Sequence, residues 1–542
     1  MSDARRNRWT VIATILGSTV VFLDATVVNV ALPALSDDLG VGLADQQWVV
    51  EAYLLALVSL LLVGGSLGDQ FGRRRIFILG LGLFGVTSIL CAIAPSTAVL
   101  IGARALQGFA GALLVPGSLA ILAATFEGEE RGRMVGMWTA WTGIATVIGP
   151  AGGGALVEGI SWRAIFWVNV PLIAVTMLLA HRTVRESVNP DADRHIDLFG
   201  ILLSAVGLGA PVFALIQQPT HGWGGPMVFG GLIGGIAVFA LFLVWESRYR
   251  HAMLDLSLFK VRNFSITNIE TLVVYSGLIG AFFFITLFLQ QTAGYTAIEA
   301  GLATTPVSVV LFVLSPRFGK IATGIGPRLP MSLGPIVGGV GLLLMMRVGS
   351  DPNYVTEVLP AILVFGLGLS ATVAPLTATA LNSVPEHQVG VASGINNGVS
   401  RVAGLLAIAV LGALISGSFS STIDDNLSGV QLSPKAQAAV AQAKDKALGT
   451  PDTAGLSANE AATLKSAGDD ASAHAFHLGL AAGGILMIIG GVIAGIGLRN
   501  PERETEYDPP GAAPAGECAR CPEHLDPAGE REPEREPVAE PA

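Results

Sequence analysis

Apolar runs, each close to the length that crosses a bilayer, recur through most of this chain. They fall at about 9–35, 46–67, 76–95, 98–124, 134–157, 164–180, 197–216, 227–245, 265–289, 299–316, 329–347, 355–380, 389–415 and 476–498. A helical span needs roughly 20 predominantly apolar residues. Backbone groups in hydrocarbon must be satisfied internally, so each run has to be a helix or a strand of a closed barrel. Barrel strands alternate in polarity over about ten residues, and these runs do not alternate. An all-α polytopic membrane protein with 14 transmembrane helices is expected. Composition agrees where it bears on this: 13% of residues are charged, and the 67 glycines suit close packing of membrane helices.

An even number of spans puts both termini on one side. Arginine and lysine choose the side, because cytoplasmic loops carry the excess of positive charge. Arg5, Arg6 and Arg8 share a side with Arg73, Arg74, Arg75, Arg131, Arg133, Arg182, Arg185, Arg194, Arg248, Arg250, Lys260, Arg262, Arg317, Lys320 and Arg328. The short connections opposite hold only Arg163 and Arg347. Residues 1–8 and the tail 499–542 are therefore expected in the cytoplasm, and the protein in the plasma membrane. The first run is too long for the apolar part of a signal peptide and carries Asp24, so it is read as a retained span.

Two soluble segments hold much of the acid behind the net charge of −10. The loop 416–475 is expected to be an extracytoplasmic solvated spacer, in which Ser433-Pro434 caps a short helix running to Leu448. The tail is rich in proline and glutamate and is expected to be disordered. Its Cys518, Cys521 and His524 are metal-ligand types, but zinc takes four ligands and this is a half-site. No metal is expected. No basic stripe indicates nucleic acid.

Charges inside the spans carry the functional signal. An ionised side chain at a helix centre costs about 2.5–3.5 kcal/mol on insertion scales, and such residues default to function. At 1.5 Å per residue, Asp24 lies about 22 Å from the cytoplasmic boundary and about 8 Å below the opposite one. Glu51 enters from that opposite side to about 8 Å, and Arg104 to about 8–9 Å. The three are expected to share a layer and form an ionic cluster. Two acids beside one arginine hold an exchangeable proton, because the second carboxylate raises the proton affinity of the pair. Asn29, Glu270, Asn397 and Arg401 are further polar candidates along a route through the membrane. Phe282, Phe283 and Phe284 offer aromatic surface for an apolar ligand, but are expected mainly against lipid.

The connection after the second run reads GSLGDQFGRRR, Gly65 to Arg75. Gly65 and Gly68 are expected to let backbones approach, Gly72 to permit a tight turn, and Asp69 and Arg73 to oppose charges at the membrane surface. This stretch resembles motif A of the major facilitator superfamily. LDATVVNVALP (Leu23 to Pro33) resembles the first-span signature of its fourteen-span drug:proton antiporter branch. LIGARALQGFAGA (Leu100 to Ala112) is similar to motif B, with Arg104 at its arginine, and GPAGGG (Gly149 to Gly154) to the antiporter motif C. WRAIFWVNVP (Trp162 to Pro171) matches the branch at its sixth span, whereas RFGK (Arg317 to Lys320) is a degraded echo of motif A.

The resemblance implies the major facilitator fold: two six-helix bundles, here 9–180 and 265–498, related by a pseudo-twofold axis. Two inserted helices, 197–245, lie between them in the chain. It implies alternating access by rocking, a conformational-switch loop at Gly65, Gly68, Asp69, Gly72 and Arg73, and a hinge at Gly149, Pro150, Gly153 and Gly154. It also implies proton-coupled export of a small amphipathic drug or antibiotic, by a protein expected to be a monomer in the lipid bilayer. Glu51 departs from the branch, which usually has a small polar residue there; an extra proton site and a preference for cationic substrates both remain open. Alternatives are export of an endogenous metabolite or amino acid on the same fold, or a non-transporting receptor. No phosphate-binding GxxxxGK[ST] loop and no nucleophile–base constellation is present, so neither an enzyme nor a cofactor other than protons is expected.

Overall fold

The computed structural model describes residues 3–500 except 127, 189–194, 196, 250–253, 255, 386–388 and 450. The tail, with Cys518, Cys521 and His524, lies outside the described residues, as do Arg194 and Arg250. Sixteen α-helices are present among those described. In chain order they are α1 (Asp3–Leu39), α2 (Leu43–Phe71), α3 (Arg73–Ala92), α4 (Thr97–Thr125), α5 (Gly128–Gly159), α6 (Ala164–Trp167), α7 (Asn169–Thr183) and α8 (Leu198–His221). There follow α9 (Pro226–Arg248), α10 (Arg262–Gln291), α11 (Ala297–Ile325), α12 (Arg328–Leu344), α13 (Leu359–Asn382), α14 (Val389–Asn426), α15 (Pro434–Lys446) and α16 (Ala458–Gly497).

Twelve helices among the described residues are long and apolar enough to cross a membrane, α6 and α7 counting together, and thirteen if the bent α2 is one span. The fifth expected span is α5, a 32-residue helix outside that count. The bend in α2, 50° between Leu61 and Val63, adjoins the Gly64-Gly65 pair, a usual place for a kink.

Packing follows chain order. Helix α4 lies on α2 and α3, and α1 on α5 and α7. In the second half α16 packs on α10, α12 and α14, and α13 on α11 and α12. Helices α8 and α9 pair with each other, and α8 also touches α2 and α14. Glycine permits the tightest approaches, as is usual where membrane helices pack without a hydrophobic drive. A β-carbon on Gly108 would collide with the Tyr53 carbonyl, and one on Gly64 with the Ala112 carbonyl. The expectation for Gly65 and Gly68 is thereby corrected: the nearest contacts of their β-carbons would be an ordinary 3.5 Å and 4.0 Å, and the close approach is one residue earlier.

The loop 416–475 is not a solvated spacer. Helix α14 continues to Asn426, α16 begins at Ala458, and α15 packs between α14, α16 and α2. Ser433 caps α15 by accepting from the Ala436 amide, and Ala436, Ala439, Val440 and Ala443 are buried. Small apolar residues at helical spacing gave α15 a face to bury, and composition alone hid it. Phe283 and Phe284 are likewise buried and stack edge to face, and Phe282 packs near Phe365, so the lipid-facing expectation fails for them.

Gly108→Val should destabilise the α2–α4 contact by about 1–3 kcal/mol through overpacking. Thermal unfolding in detergent reads this as a lowered Tm; an unchanged Tm would contradict the close approach.

Candidate functional site: a buried ion pair and a separate acid

Asp24 and Arg104 are paired and sealed from solvent, with relative exposures of 0% and 1%. Arg104 Nη1 donates to Asp24 Oδ2. The other carboxylate oxygen, Oδ1, accepts from Gln107 Nε2 and Asn169 Nδ2, each at 3.1 Å. Arg104 Nε donates to the Val49 carbonyl at 3.1 Å, and Nη1 also reaches Gln107 Oε1 at 2.8 Å. The guanidinium lies 4.2 Å from the Tyr53 ring centroid. Ser88 Oγ accepts from Gln107 at 3.2 Å and Asn169 at 2.9 Å, and donates to the Phe166 carbonyl. One polar network thus ties α1, α2, α3, α4, α6 and α7 together. A buried charge pair is favourable only when its remaining hydrogen-bonding capacity is also met, and here neighbours meet it on both sides.

Glu51 does not join this network. It is fully buried, and neither carboxyl oxygen has a hydrogen-bond partner. Helical phase explains why. Val49 and Tyr53, which meet Arg104, stand two residues either side of Glu51, and two residues turn a helix by about 200°. Glu51 follows Gln47 by one turn, and Gln47 Nε2 donates to the Ile408 carbonyl of α14 at 2.8 Å. Glu51 therefore shares the face of α2 turned toward the second half. The expected trio resolves into a pair and, at the same level on the opposite face of α2, a separate acid.

The remaining candidates separate too. Gly72 has φ +108°, the left-handed region that a turn here requires, and Arg73 Nε donates to Asp69 Oδ1 at 2.8 Å. Glu186 completes this corner: its Oε1 accepts from the Arg74 amide at 3.1 Å, and Oε2 lies 3.6 Å from Arg75 Nε. Gly149 and Gly153 face α1, where β-carbons would strike Thr26 and Val27. Gly154 faces α11: its β-carbon would strike the Ala297 carbonyl, and one on Gly301 would strike the Pro150 carbonyl. Glycines on both helices thus close a backbone seam between α5 and α11. Glu270 is fully buried with both oxygens unpartnered. Asn397 donates to Ser393 within its own helix, whereas Asn396 bridges to Thr271 and Asn268. The Asn29 Oδ1 is buried without a partner. Arg401 is partly exposed, 5.3 Å from the Phe22 centroid of α1.

Gln107, Asn169, Ser88 and Glu186 were missed in the sequence. Gln107 had a usable signal, one helical turn beyond Arg104 on the same face. Glu186 had none, because it meets Gly72 only through the packing of α7 beside α3.

Long apolar helices around a buried ion pair, with close glycine contacts between the halves, make this a multi-pass membrane protein. Residues 14–408 match the family model described as Major Facilitator Superfamily, and the chain belongs to that family. It is 36% identical over 419 residues to the Multidrug resistance protein Stp of Mycobacterium tuberculosis strain CDC 1551 / Oshkosh, covering 77% of this chain and 78% of the relative. It is 31% identical over 448 residues to the Tetracenomycin C resistance and export protein of Streptomyces glaucescens, covering 82% and 83% respectively. Among solved structures, a bacterial homolog to the human lysosomal transporter Spinster, in an inward-facing and unoccupied conformation, superposes with TM-score 0.62 at 15% identity. That match covers 92% of this chain and 99% of the other, and shows the fold.

Breaking the buried pair from one side leaves an uncompensated charge, so Arg104→Met alone should cost about 3–5 kcal/mol. Combining it with Asp24→Leu should recover part of that loss. Thermal unfolding of the three variants checks this, and a single variant melting with the wild type would contradict it.

Proposed function

We propose that the protein is a proton-coupled antiporter that exports amphipathic drugs or antibiotics across the plasma membrane by alternating access. The cargo class is supported by relatives named for drug and antibiotic resistance, matched over about three quarters of the chain. The observation that carries the coupling is Glu51, a fully buried carboxyl with no partner, on the face of α2 that turns toward the second half.

The proposed architecture has fourteen spans, α2 and α5 included, with both termini cytoplasmic. Helices α1–α7 and α10–α16, without α15, make the two bundles, and α8 and α9 are the inserted pair. Contacts between the halves gather toward the α15 face, which is the external face in this reading. There Gln290 Nε2 donates to the Val30 carbonyl at 3.2 Å, Gln47 reaches Ile408, and Lys446 Nζ pairs with Asp37 Oδ1 at 2.8 Å. Those contacts support an inward-facing arrangement.

Asp24, Glu51 and Arg104 remain the coupling set, with divided roles. Asp24 and Arg104 neutralise each other and hold α1, α2 and α4 as one rigid element. Glu51 exchanges the proton: without a partner its anion is costly in this setting, and the neutral acid costs far less. Substrate enters from the cytoplasm, rocking opens the α15 seam, and a proton from outside returns the carrier. The membrane potential adds about 2.3 kcal/mol per charge per 100 mV to inward proton movement. The corner of Asp69, Gly72 and Arg73, braced by Glu186, acts as the conformational switch. Gly149, Pro150, Gly153 and Gly154 form the seam that must part. No resident cofactor takes part.

Everted vesicles test the coupling. Wild-type vesicles should accumulate drug in response to an imposed pH gradient. Glu51→Gln should lose that response while still equilibrating drug down its own gradient, and Asp24→Asn should lose both. Gradient-driven uptake by Glu51→Gln at the wild-type level would refute the role given to Glu51.

A further inference from the structure

Asp24, Glu51, Arg104, Glu270 and Arg401 are the acidic and basic residues in the middle of the spans, and they differ in one respect. Asp24 and Arg104 cancel and are sealed. Glu51 and Glu270 are fully buried at 0% exposure. Only Arg401 is partly exposed. Its guanidinium reaches across from α14 in the second half to the Phe22 ring of α1 in the first, 5.3 Å from the centroid. Phe22 in turn meets the Trp138 ring edge on, at 6.2 Å. Arg401 therefore lies where the two halves meet, with part of its side chain accessible.

Arginine stays charged at any physiological pH and presents a planar fork suited to carboxylates. A lone cation at membrane depth is expected to pair with an opposite charge, yet among the described residues Arg401 makes no ion pair and no hydrogen bond. The ring beneath it is a weak substitute for a counter-charge. Helix α5, which lines the same region through Trp138, has no acidic residue from Met134 to Val157. Glu51 does not serve either: it is sealed, and no ion pair joins it to Arg401. The accessible charge between the halves is therefore positive.

We propose that Arg401 selects the cargo, and that this cargo is an amphipathic organic anion. Its carboxylate or phenolate pairs with the guanidinium, and its apolar ring system lies against Phe22 and Trp138. This deepens the export reading and rests on it. It also answers the question left open at Glu51. A sealed acid offers nothing to a cationic substrate, so the extra carboxyl serves the proton and the arginine serves the cargo. Arg401 is a binding residue here, distinct from the proton-coupling set.

The test uses the full chain in proteoliposomes with an imposed pH gradient, and compares carboxyfluorescein as organic anion with ethidium as organic cation. Wild type should move the anion, and Arg401→Gln should slow anion transport at least about tenfold, the scale of a charge-assisted hydrogen bond, without slowing ethidium. Arg401→Lys, which keeps the charge and loses the fork, should retain part of the anion transport. Binding to the wild type in detergent gives a readout that needs no variant: carboxyfluorescein anisotropy should rise, and unlabelled aromatic carboxylates should reverse it. The inference is overturned if Arg401→Gln slows both probes equally or neither. It is also overturned if the wild type moves ethidium but no organic anion, in which case the export reading stands. Movement of neither probe defeats the export reading itself.

Discussion

A carboxylate and a guanidinium buried together inside the membrane anchor the first half of this protein. Alone, either charge would be strongly unfavourable there; together, with Gln107, Asn169 and the Val49 carbonyl completing their hydrogen bonds, they become a fixture. The pair sets the register of α1 against α4, and Tyr53 and Val49 bring α2 to the same point. Both carboxylate oxygens of Asp24 are engaged by side chains of α4 and α7, which makes the junction a structural one. In the proposed cycle exchange falls to Glu51, a buried carboxyl without a partner at the level of the pair.

A division of labour follows. In the proposed cycle the helices that hold the pair move as one piece, and opening occurs where backbones merely touch. The α5–α11 seam has that character: glycines on both helices and contacts through main-chain atoms. Helix α15 closes over the same face and links to α1 through Lys446 and Asp37. In that cycle, outward opening releases this link as well as the seam. At the other face, Glu186 clamps the turn at Gly72, joining the α2–α3 corner to the segment after α7.

Much of this was legible in the sequence, for identifiable reasons. Hydrophobic length gave twelve of the spans among the described residues, and a rise of 1.5 Å per residue put Asp24, Glu51 and Arg104 at one level along their helices. Depth is one coordinate and rotation is another. The phase of α2 was available from Gln47, Glu51 and Leu55 on one side and Val49 and Tyr53 on the other, but which side faces α4 depends on packing. The glycines misled by one position, because Gly64, not Gly65, meets Ala112. The α15 loop misled through composition, since alanine and serine read as spacer while helical spacing of the alanines builds a buried face. Glu186 meets Arg74 across 112 residues of chain and had no local signature.

The central claim is that the pair is fixed and that the exchanging proton belongs to Glu51. Infrared difference spectroscopy on glutamate-labelled protein tests it directly, by following the carboxyl stretch as substrate is added. The account predicts a substrate-dependent carboxyl band that shifts with the glutamate label and vanishes in Glu51→Gln. A band that ignores the glutamate label, persists in Glu51→Gln and disappears in Asp24→Asn would contradict it.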